Sequence, residues 1–246
     1  MKNKKAIIIV NAITMSRVVG TFVLPFIFRY MAPITVVIYI MCLLLTDAVD
    51  GFLARKLNAC TIFGSLSDQA ADKLLGIATL AVLASGYPIM IFPILTEISI
   101  AIITTRGAVH GGAAESSILG KIKTLILGLI IVGGFCTVYA SEIVRIFTKL
   151  KVSPVLIDVF LKLEANGNDT MNSLAFIAVG AGVMVACDYW IKAKADIKTA
   201  KDSGLKPEEI KLKKGKELNY ALFSEEYYQK TKKDPLIKKL GVPSKP

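Results

Sequence analysis

The sequence predicts an all-α polytopic membrane protein with six transmembrane helices. Hydrophobic residues make up 54% of the 246 residues. They are gathered into blocks of about 20 residues, the length of helix that crosses the hydrocarbon core of a bilayer. Basic residues are concentrated between the blocks and at both ends of the chain, as is typical of segments that flank membrane spans. Together these observations favour a bundle of membrane helices over a soluble domain.

The six predicted spans follow one another closely along the chain. They lie near residues 13–30, 33–53, 61–85, 88–109, 118–147 and 172–191. Pro33 and Pro88 stand at the starts of the second and fourth spans, where the missing N–H costs little. The first and third spans are marginal because charged residues interrupt them. We expect the residues before the first span to form an N-terminal interfacial segment.

The excess positive charge predicts an orientation in the membrane. The formal net charge is +11, and residues 191–246 hold 15 of the 30 lysines and arginines. The positive-inside rule places both termini, the Arg55-Lys56 turn and the Lys121/Lys123 pair in the cytoplasm. We therefore expect an integral membrane protein, with membrane lipids and no nucleic acid among its partners.

The same charge distribution predicts two domains. Residues 1–191 form the membrane domain, and residues 192–246 form a basic cytoplasmic tail. The tail mixes lysines with aromatic residues, which is compatible with a short amphipathic element on anionic lipid headgroups. A solvated, disordered tail is the alternative.

Four aspartates lie at the junction of the second and third spans. Asp47 and Asp50 are three residues apart near the end of one span, and Asp68 and Asp72 are four apart near the start of the next. Each pair therefore shares one face of its helix. The intervening stretch KLNACTIFG is short, so we expect antiparallel neighbouring helices that carry both pairs at the same membrane depth.

This carboxylate cluster predicts a metal site. The sequence has one histidine and four scattered cysteines, which disfavours zinc-type ligation. Four carboxylates are the ligands of hard divalent ions such as Mg²⁺, Mn²⁺ or Ca²⁺. The alternative is that the acids are solvated or pair with Lys56 and Lys73. We favour the metal site because ionisable groups inside a membrane usually serve function.

Small residues and an arginine surround the acids. Gly51, Ala54 and Gly64 remove side-chain bulk beside the carboxylates, which leaves room for a ligand. Arg55 lies one helical turn beyond Gly51, and its guanidinium suits a phosphate. A cation site, an arginine and open space together indicate a diphosphate substrate.

These residues resemble a family signature. The pattern is Asp47-x-x-Asp50-Gly51-x-x-Ala54-Arg55, eight residues, then Gly64-x-x-x-Asp68-x-x-x-Asp72. It is similar to the signature of the CDP-alcohol phosphotransferases. The resemblance implies six membrane helices, a cytoplasm-facing site, a homodimer and two divalent cations, Mg²⁺ or Mn²⁺. It implies that the metal ligands are Asp47, Asp50, Asp68 and Asp72, and that Asp72 is also the catalytic base. It implies that the CDP pocket is lined by Gly51, Ala54, Arg55 and Gly64.

Two further segments resemble the bacterial branch of this family that makes phosphatidylglycerophosphate, which implies a bacterial cell membrane as the location. One is the N-terminal motif Asn11-x-x-Thr14-x-x-Arg17. The other is Gly120-Lys121-x-Lys123-Thr124, whose two lysines are expected to bind the acceptor phosphate. Alternatively, these lysines only anchor a span at the membrane boundary.

The fourth span departs from that branch. Glu97 matches the glutamate of the branch's Arg-Glu pair, but Thr96 stands where the arginine is expected. Thr104 stands at the position of a second arginine, and Arg106 follows two residues later. Either Arg106 reaches the acceptor phosphate from another direction, or the acceptor lacks a phosphate.

The resemblance therefore implies transfer of a phosphatidyl group from CDP-diacylglycerol to glycerol 3-phosphate, with release of CMP. Within the same family, serine, inositol phosphate or phosphatidylglycerol are alternative acceptors. A divalent-cation transporter is an alternative from a different class. A transporter would explain the acids but gives no role to Gly51, Ala54, Arg55 and Gly64.

Overall fold

The computed structural model describes residues 4–109, 118–202, 210–231, 234 and 236–243. This part of the chain is helical apart from one 3-10 turn (Pro88–Met90) and a two-stranded sheet. The helices are α1 (Lys4–Tyr30), α2 (Pro33–Lys56), α3 (Ile62–Gly86), α4 (Ile91–Val109), α5 (Ile118–Val138), α6 (Ala140–Lys149), α7 (Pro154–Ala165), α8 (Gly167–Asp202), α9 (Gly215–Phe223), α10 (Glu225–Thr231) and α11 (Leu236–Leu240). The strands are β1 (Ile210–Leu212) and β2 (Gly241–Pro243). The predicted all-α class is confirmed.

Five helices in the described ranges are long and apolar enough to cross a membrane. They cover Lys5–Tyr30, Pro33–Lys56, Pro88–Ala108, Ile118–Val138 and Gly167–Lys198. The sixth predicted span, α3, has 25 residues but is less apolar because it carries Asp68, Asp72 and Lys73. It packs against α1, α4 and α5, so its charged residues can pair with groups on neighbouring helices. The protein is an all-α integral membrane protein.

Three predicted boundaries differ from the structure. The expected N-terminal interfacial segment is not a separate element, because α1 is unbroken from Lys4 to Tyr30. The span predicted at 118–147 ends at Val138, and the residues that follow form the short helix α6. Polar residues recur along α6, including an ion pair between Glu142 and Arg145 (2.6 Å), and this pattern suits a surface. The last span, predicted at 172–191, belongs to a helix of 36 residues.

The bundle has a packed core that fixes the helix ends. α1 packs on α2 and α3, α4 packs along α8, and α5 packs on α8. Phe28, near the end of α1, lies 6.5 Å from Phe135 in α5 (ring centroids) and 6.3 Å from Tyr139. The α1–α2 and α5–α6 connections therefore meet at one end of the bundle. The α2–α3 turn, which lies beside the aspartates, is at the other end.

The α2–α3 turn sets the antiparallel arrangement of these two helices. Asn58 adopts a left-handed backbone conformation (φ 46°), and the Ala59 amide donates to the Ala54 carbonyl at 2.9 Å. Thr61 caps α3, since its hydroxyl accepts a hydrogen bond from the Gly64 amide at 3.0 Å. A tight connection of this kind places the last turns of α2 beside the first turns of α3.

The described part of the tail folds onto the aspartate end of the bundle. β1 pairs with β2 in antiparallel register, α9 packs on α3, and α11 packs on α4. The rings of Phe63 and Phe223 lie 5.0 Å apart. Burial raises the pKa of Tyr228, and the neighbouring Cys60 adds to the shift. The domain division at residue 191 stays a prediction; α8 continues across it to Asp202.

A small residue lets α4 and α8 approach closely. A Cβ added at Gly182 would lie 2.6 Å from the Thr96 hydroxyl oxygen and 2.8 Å from the Thr96 Cβ. These distances are shorter than van der Waals contact, so the packing requires glycine at this position. Two residues earlier on the same helix, a Cβ at Gly180 would meet nothing within 4 Å.

We predict that Gly182→Ala destabilises the protein by about 1–3 kcal/mol, the usual cost of overpacking. The readout is a lower midpoint of thermal unfolding in detergent. Gly180→Ala is the matched control and should keep or raise the midpoint, because alanine is the better helix former. Equal midpoints for the two variants would contradict the close α4–α8 packing.

Candidate active site

Three of the four aspartates come together where α2 meets α3. One carboxylate oxygen from each of Asp47, Asp50 and Asp68 lies within 4.8 Å of the other two. The two from α2 share a face because they are three residues apart, and the tight turn brings the α3 residue beside them. Among the described residues this group of donors contains carboxylate oxygens only, which fits a hard divalent cation.

Arg17 of α1 lies among these carboxylates. Its guanidinium donates to Asp47, and its Nη2 donates to Asp68 Oδ1 at 2.5 Å. Nη1 also lies 3.5 Å from Asp72 Oδ1. The Arg17 side chain is fully buried, whereas the three acids are 44–57% exposed at the side chain. One buried cation therefore connects both halves of the aspartate cluster and reduces their mutual repulsion.

Two further residues of α1 face the same cluster. Thr14 Oγ1 donates to Asp50 Oδ2 at 2.7 Å, and Asp50 is only 3% exposed. Asn11 Oδ1 is buried and accepts no hydrogen bond from the described residues. A Cβ at Gly64 would lie 3.0 Å from this oxygen, so the glycine allows α3 to approach α1. Asn11, Thr14 and Arg17 are spaced by three residues and form one face of α1.

Asp72 is adjacent to the cluster of the other three acids but is not a member of it. It lies one turn beyond Asp68 on α3, is the most exposed of the acids that contact Arg17, and is not part of the oxygen cluster of Asp47, Asp50 and Asp68. Its carboxylate is therefore open to an approaching molecule, while Arg17 keeps it next to the cluster.

The predicted CDP-pocket residues line the last turns of α2. The Arg55 guanidinium lies over Gly51, since a Cβ at that glycine would be 3.6 and 3.8 Å from the two terminal nitrogens. Arg55 is exposed, and Ala54 is half-buried. No other side chain of the described residues comes within 4 Å of the Gly51 Cβ position. Arg55 thus covers an open surface on the helix that carries Asp47 and Asp50.

The predicted acceptor residues lie on two helices, Arg106 on α4 and the two lysines on α5. Lys123 of α5 forms an ion pair with Glu97, and both side chains are nearly buried. Arg106 lines a groove of about 170 Å³ between α4 and α8, next to Trp190 and Lys194. Lys121 is exposed near the start of α5. The structure therefore does not bring these three basic side chains together.

The two threonines at the expected arginine positions have different contacts. Thr96 packs against Gly182 of α8, as described above. Thr104 Oγ1 accepts a hydrogen bond from Lys73 Nζ at 3.0 Å. The sequence suggests Lys73 only as a partner for an acid, because its contact with α4 depends on the tertiary packing of α3.

The fold and the site define an integral membrane protein with a carboxylate centre formed by neighbouring helices. Residues 7–163 match the sequence profile of the CDP-alcohol phosphatidyltransferases. This match covers more than half of the chain, and the protein belongs to that family.

Two curated relatives carry the same name, CDP-diacylglycerol–glycerol-3-phosphate 3-phosphatidyltransferase. The chain is 39% identical over 84 residues to the one from Bacillus subtilis (strain 168). The aligned region covers 32% of the chain and 43% of that relative, so the chain spans less than half of its length. It is 33% identical over 128 residues to the one from Wigglesworthia glossinidia brevipalpis, and here the aligned region covers 44% of the chain and 70% of the relative. No solved structure is significantly similar to the chain.

We predict that Arg17→Met lowers the free energy of unfolding by about 2–4 kcal/mol. Removing one partner of a fully buried ion pair costs about 3–5 kcal/mol, and the partial exposure of the acids reduces that cost. The measurement is thermal unfolding in detergent with EDTA. Arg29→Met, an exposed arginine on the same helix, is the control and should change little. Equal losses in both variants would show that Arg17 does not hold the acids together.

Proposed function

We propose that the protein transfers the phosphatidyl group of CDP-diacylglycerol to glycerol 3-phosphate. The products are phosphatidylglycerophosphate and CMP. The observation that carries this proposal is the convergence of Asp47, Asp50 and Asp68 within the family signature. The names of both curated relatives support the choice of donor and acceptor.

Asp47, Asp50, Asp68 and Asp72 hold two divalent cations, Mg²⁺ or Mn²⁺, in this proposal. The clustered oxygens of the first three support it. When bound, the cations neutralise the diphosphate, polarise the phosphorus and stabilise CMP as it leaves. Arg17 orients Asp47 and Asp68, and Thr14 orients Asp50, by the hydrogen bonds described above.

The nucleotide end of the donor lies along α2. Arg55 contacts the diphosphate by charge and hydrogen bonding, and Gly51 leaves the space that the phosphates need. Ala54 and Gly64 keep the neighbouring surface free of bulk. The fork of the arginine fits phosphate oxygens better than a lysine would.

Asp72 is the general base. Its exposed carboxylate accepts the proton from the acceptor hydroxyl, while the hydroxyl oxygen forms a bond to the phosphorus that carries diacylglycerol. The bond from that phosphorus to the bridging oxygen of CMP breaks, and CMP leaves with the electron pair. Arg17 keeps Asp72 beside the other acids.

The site faces the cytoplasm of a bacterial cell in this proposal, and the protein acts as a homodimer. The concentration of lysines in the tail, which packs at the aspartate end, supports this orientation. CDP-diacylglycerol then enters from the membrane, while the small polar acceptor enters from the cytoplasm.

A different acceptor is the second candidate. Thr96 and Thr104 favour it, because they stand where the branch that makes phosphatidylglycerophosphate is expected to have arginines. Serine, inositol phosphate and phosphatidylglycerol are the acceptors to compare with glycerol 3-phosphate.

We predict that purified protein releases CMP from CDP-diacylglycerol only when both glycerol 3-phosphate and Mg²⁺ or Mn²⁺ are present. Chromatography of CMP and mass spectrometry of the lipid product identify the reaction. Turnover with serine, inositol phosphate or phosphatidylglycerol alone would move the assignment to the second candidate. Metal flux into proteoliposomes without nucleotide, and no CMP with any acceptor, would favour a transporter.

We predict that Asp72→Asn lowers kcat by about 10²–10⁴-fold, the usual contribution of a general base. The amide keeps the size of the side chain but cannot take the proton. Asp158→Asn, an exposed acid of α7 that pairs with Lys162, serves as the control and should retain normal turnover. Normal turnover of Asp72→Asn would exclude it as the base.

A further inference from the structure

A lysine that the family signature does not include lies beside the proposed base. Lys73 directly follows Asp72 on α3 and is half-buried between helices. Its Nζ donates a hydrogen bond to Thr104 Oγ1 of α4 at 3.0 Å. Glu97 and Lys123 are close enough to interact electrostatically with it. Lys73 is therefore part of a charged cluster where α3, α4 and α5 meet.

The charges in this cluster are not equivalent. Lys123 is paired with Glu97, so its charge is largely compensated inside the bundle. Within the described ranges, Lys73 donates its hydrogen bond to a neutral hydroxyl. The cluster of Lys73, Lys123 and Glu97 thus has a net charge of about +1, which favours an anionic ligand at Lys73.

The geometry of α4 separates Arg106 from this cluster. Glu97 and Thr104 are seven residues apart, two helical turns, and so lie on the same face of α4. Arg106 is two residues beyond Thr104, which turns it by about 200° to the opposite face, where it lines the groove with α8. An arginine at position 106 is therefore a poor substitute for one at position 104.

We propose that Lys73, held in place by Thr104, binds the phosphate group of the acceptor. Lys73 thereby supplies the charge that an arginine at position 104 would supply, and Thr104 is a positioning residue. This inference rests on the proposed function. Asp72 and Lys73 are adjacent on α3, so their side chains diverge by about 100° around the helix. A three-carbon phosphorylated alcohol that lies across this corner can place its hydroxyl at Asp72 and its phosphate at Lys73.

The test is steady-state kinetics of Lys73→Met with both substrates varied. We expect the KM for glycerol 3-phosphate to rise about 10- to 100-fold, the effect of losing one charge-assisted hydrogen bond. The KM for CDP-diacylglycerol should stay within about twofold. Lys73→Arg should restore most of the affinity for the acceptor, because it restores the charge.

Two further measurements separate binding from a structural effect. Thr104→Val keeps the volume of the side chain and removes only the hydroxyl, so the KM for glycerol 3-phosphate should rise while the KM for the donor does not. Inorganic phosphate should compete with glycerol 3-phosphate in the wild-type protein and compete more weakly in Lys73→Met. Lys149→Ala, an exposed lysine of α6, is the control and should leave both constants unchanged.

The outcomes distinguish this inference from the proposed function. If the wild-type protein uses glycerol 3-phosphate but Lys73→Met leaves its KM unchanged, or raises both KM values equally, the role of Lys73 is overturned and the function stands. If the wild-type protein turns over only with an acceptor that has no phosphate, both are overturned.

Discussion

The ion pairs between Arg17 and the aspartates are the interaction on which the site depends. Three carboxylates at the junction of two membrane helices repel each other strongly where water is scarce. A buried guanidinium bonded to one acid of α2 and one of α3 offsets this repulsion and fixes the distance between the helices. Because Arg17 belongs to α1, the first helix of the chain is needed to complete a site whose acids lie on the second and third.

The rest of the bundle holds this three-helix junction in place. The capped turn before α3 limits how far α2 and α3 can separate, and Gly64 lets α1 approach them. α4 and α5 close the other side of α3, where Lys73, Glu97 and Lys123 meet. The acids of α3 and this basic cluster therefore lie on adjoining faces of one helix, which suits a reaction that joins a metal-bound donor to a separate polar acceptor.

Much of the fold follows from the sequence because its signals are local. Apolar blocks predict the helices, and the spacing of Asp47 and Asp50 places them on one face whatever the fold. The break after Val138 is visible only in the structure, because the apolar pattern continues past it into the amphipathic helix α6. The apolar pattern also underestimates the length of α8, because the last turns of this helix are polar.

The partners of the site residues depend on packing and were harder to predict. The three-residue spacing of Asn11, Thr14 and Arg17 indicates a common face of a helix, but not that this face meets the aspartates. Likewise, Lys73 and Thr104 are 31 residues apart, and nothing in the sequence predicts their hydrogen bond. The sequence predicts a role for Arg106 from its nearness to the expected arginine position at 104, but two residues further along the helix it packs on another face.

Direct measurement of metal binding tests the central claim, that the acids of α2 and α3 bind cations together. Titration of Mn²⁺ into EDTA-treated protein, followed by electron paramagnetic resonance, reports bound ion without substrate or turnover. The account predicts saturable binding that weakens at least about tenfold in both Asp50→Asn and Asp68→Asn, since hard cations need these carboxylates. Binding that is equally tight in the wild-type protein and both variants would contradict it.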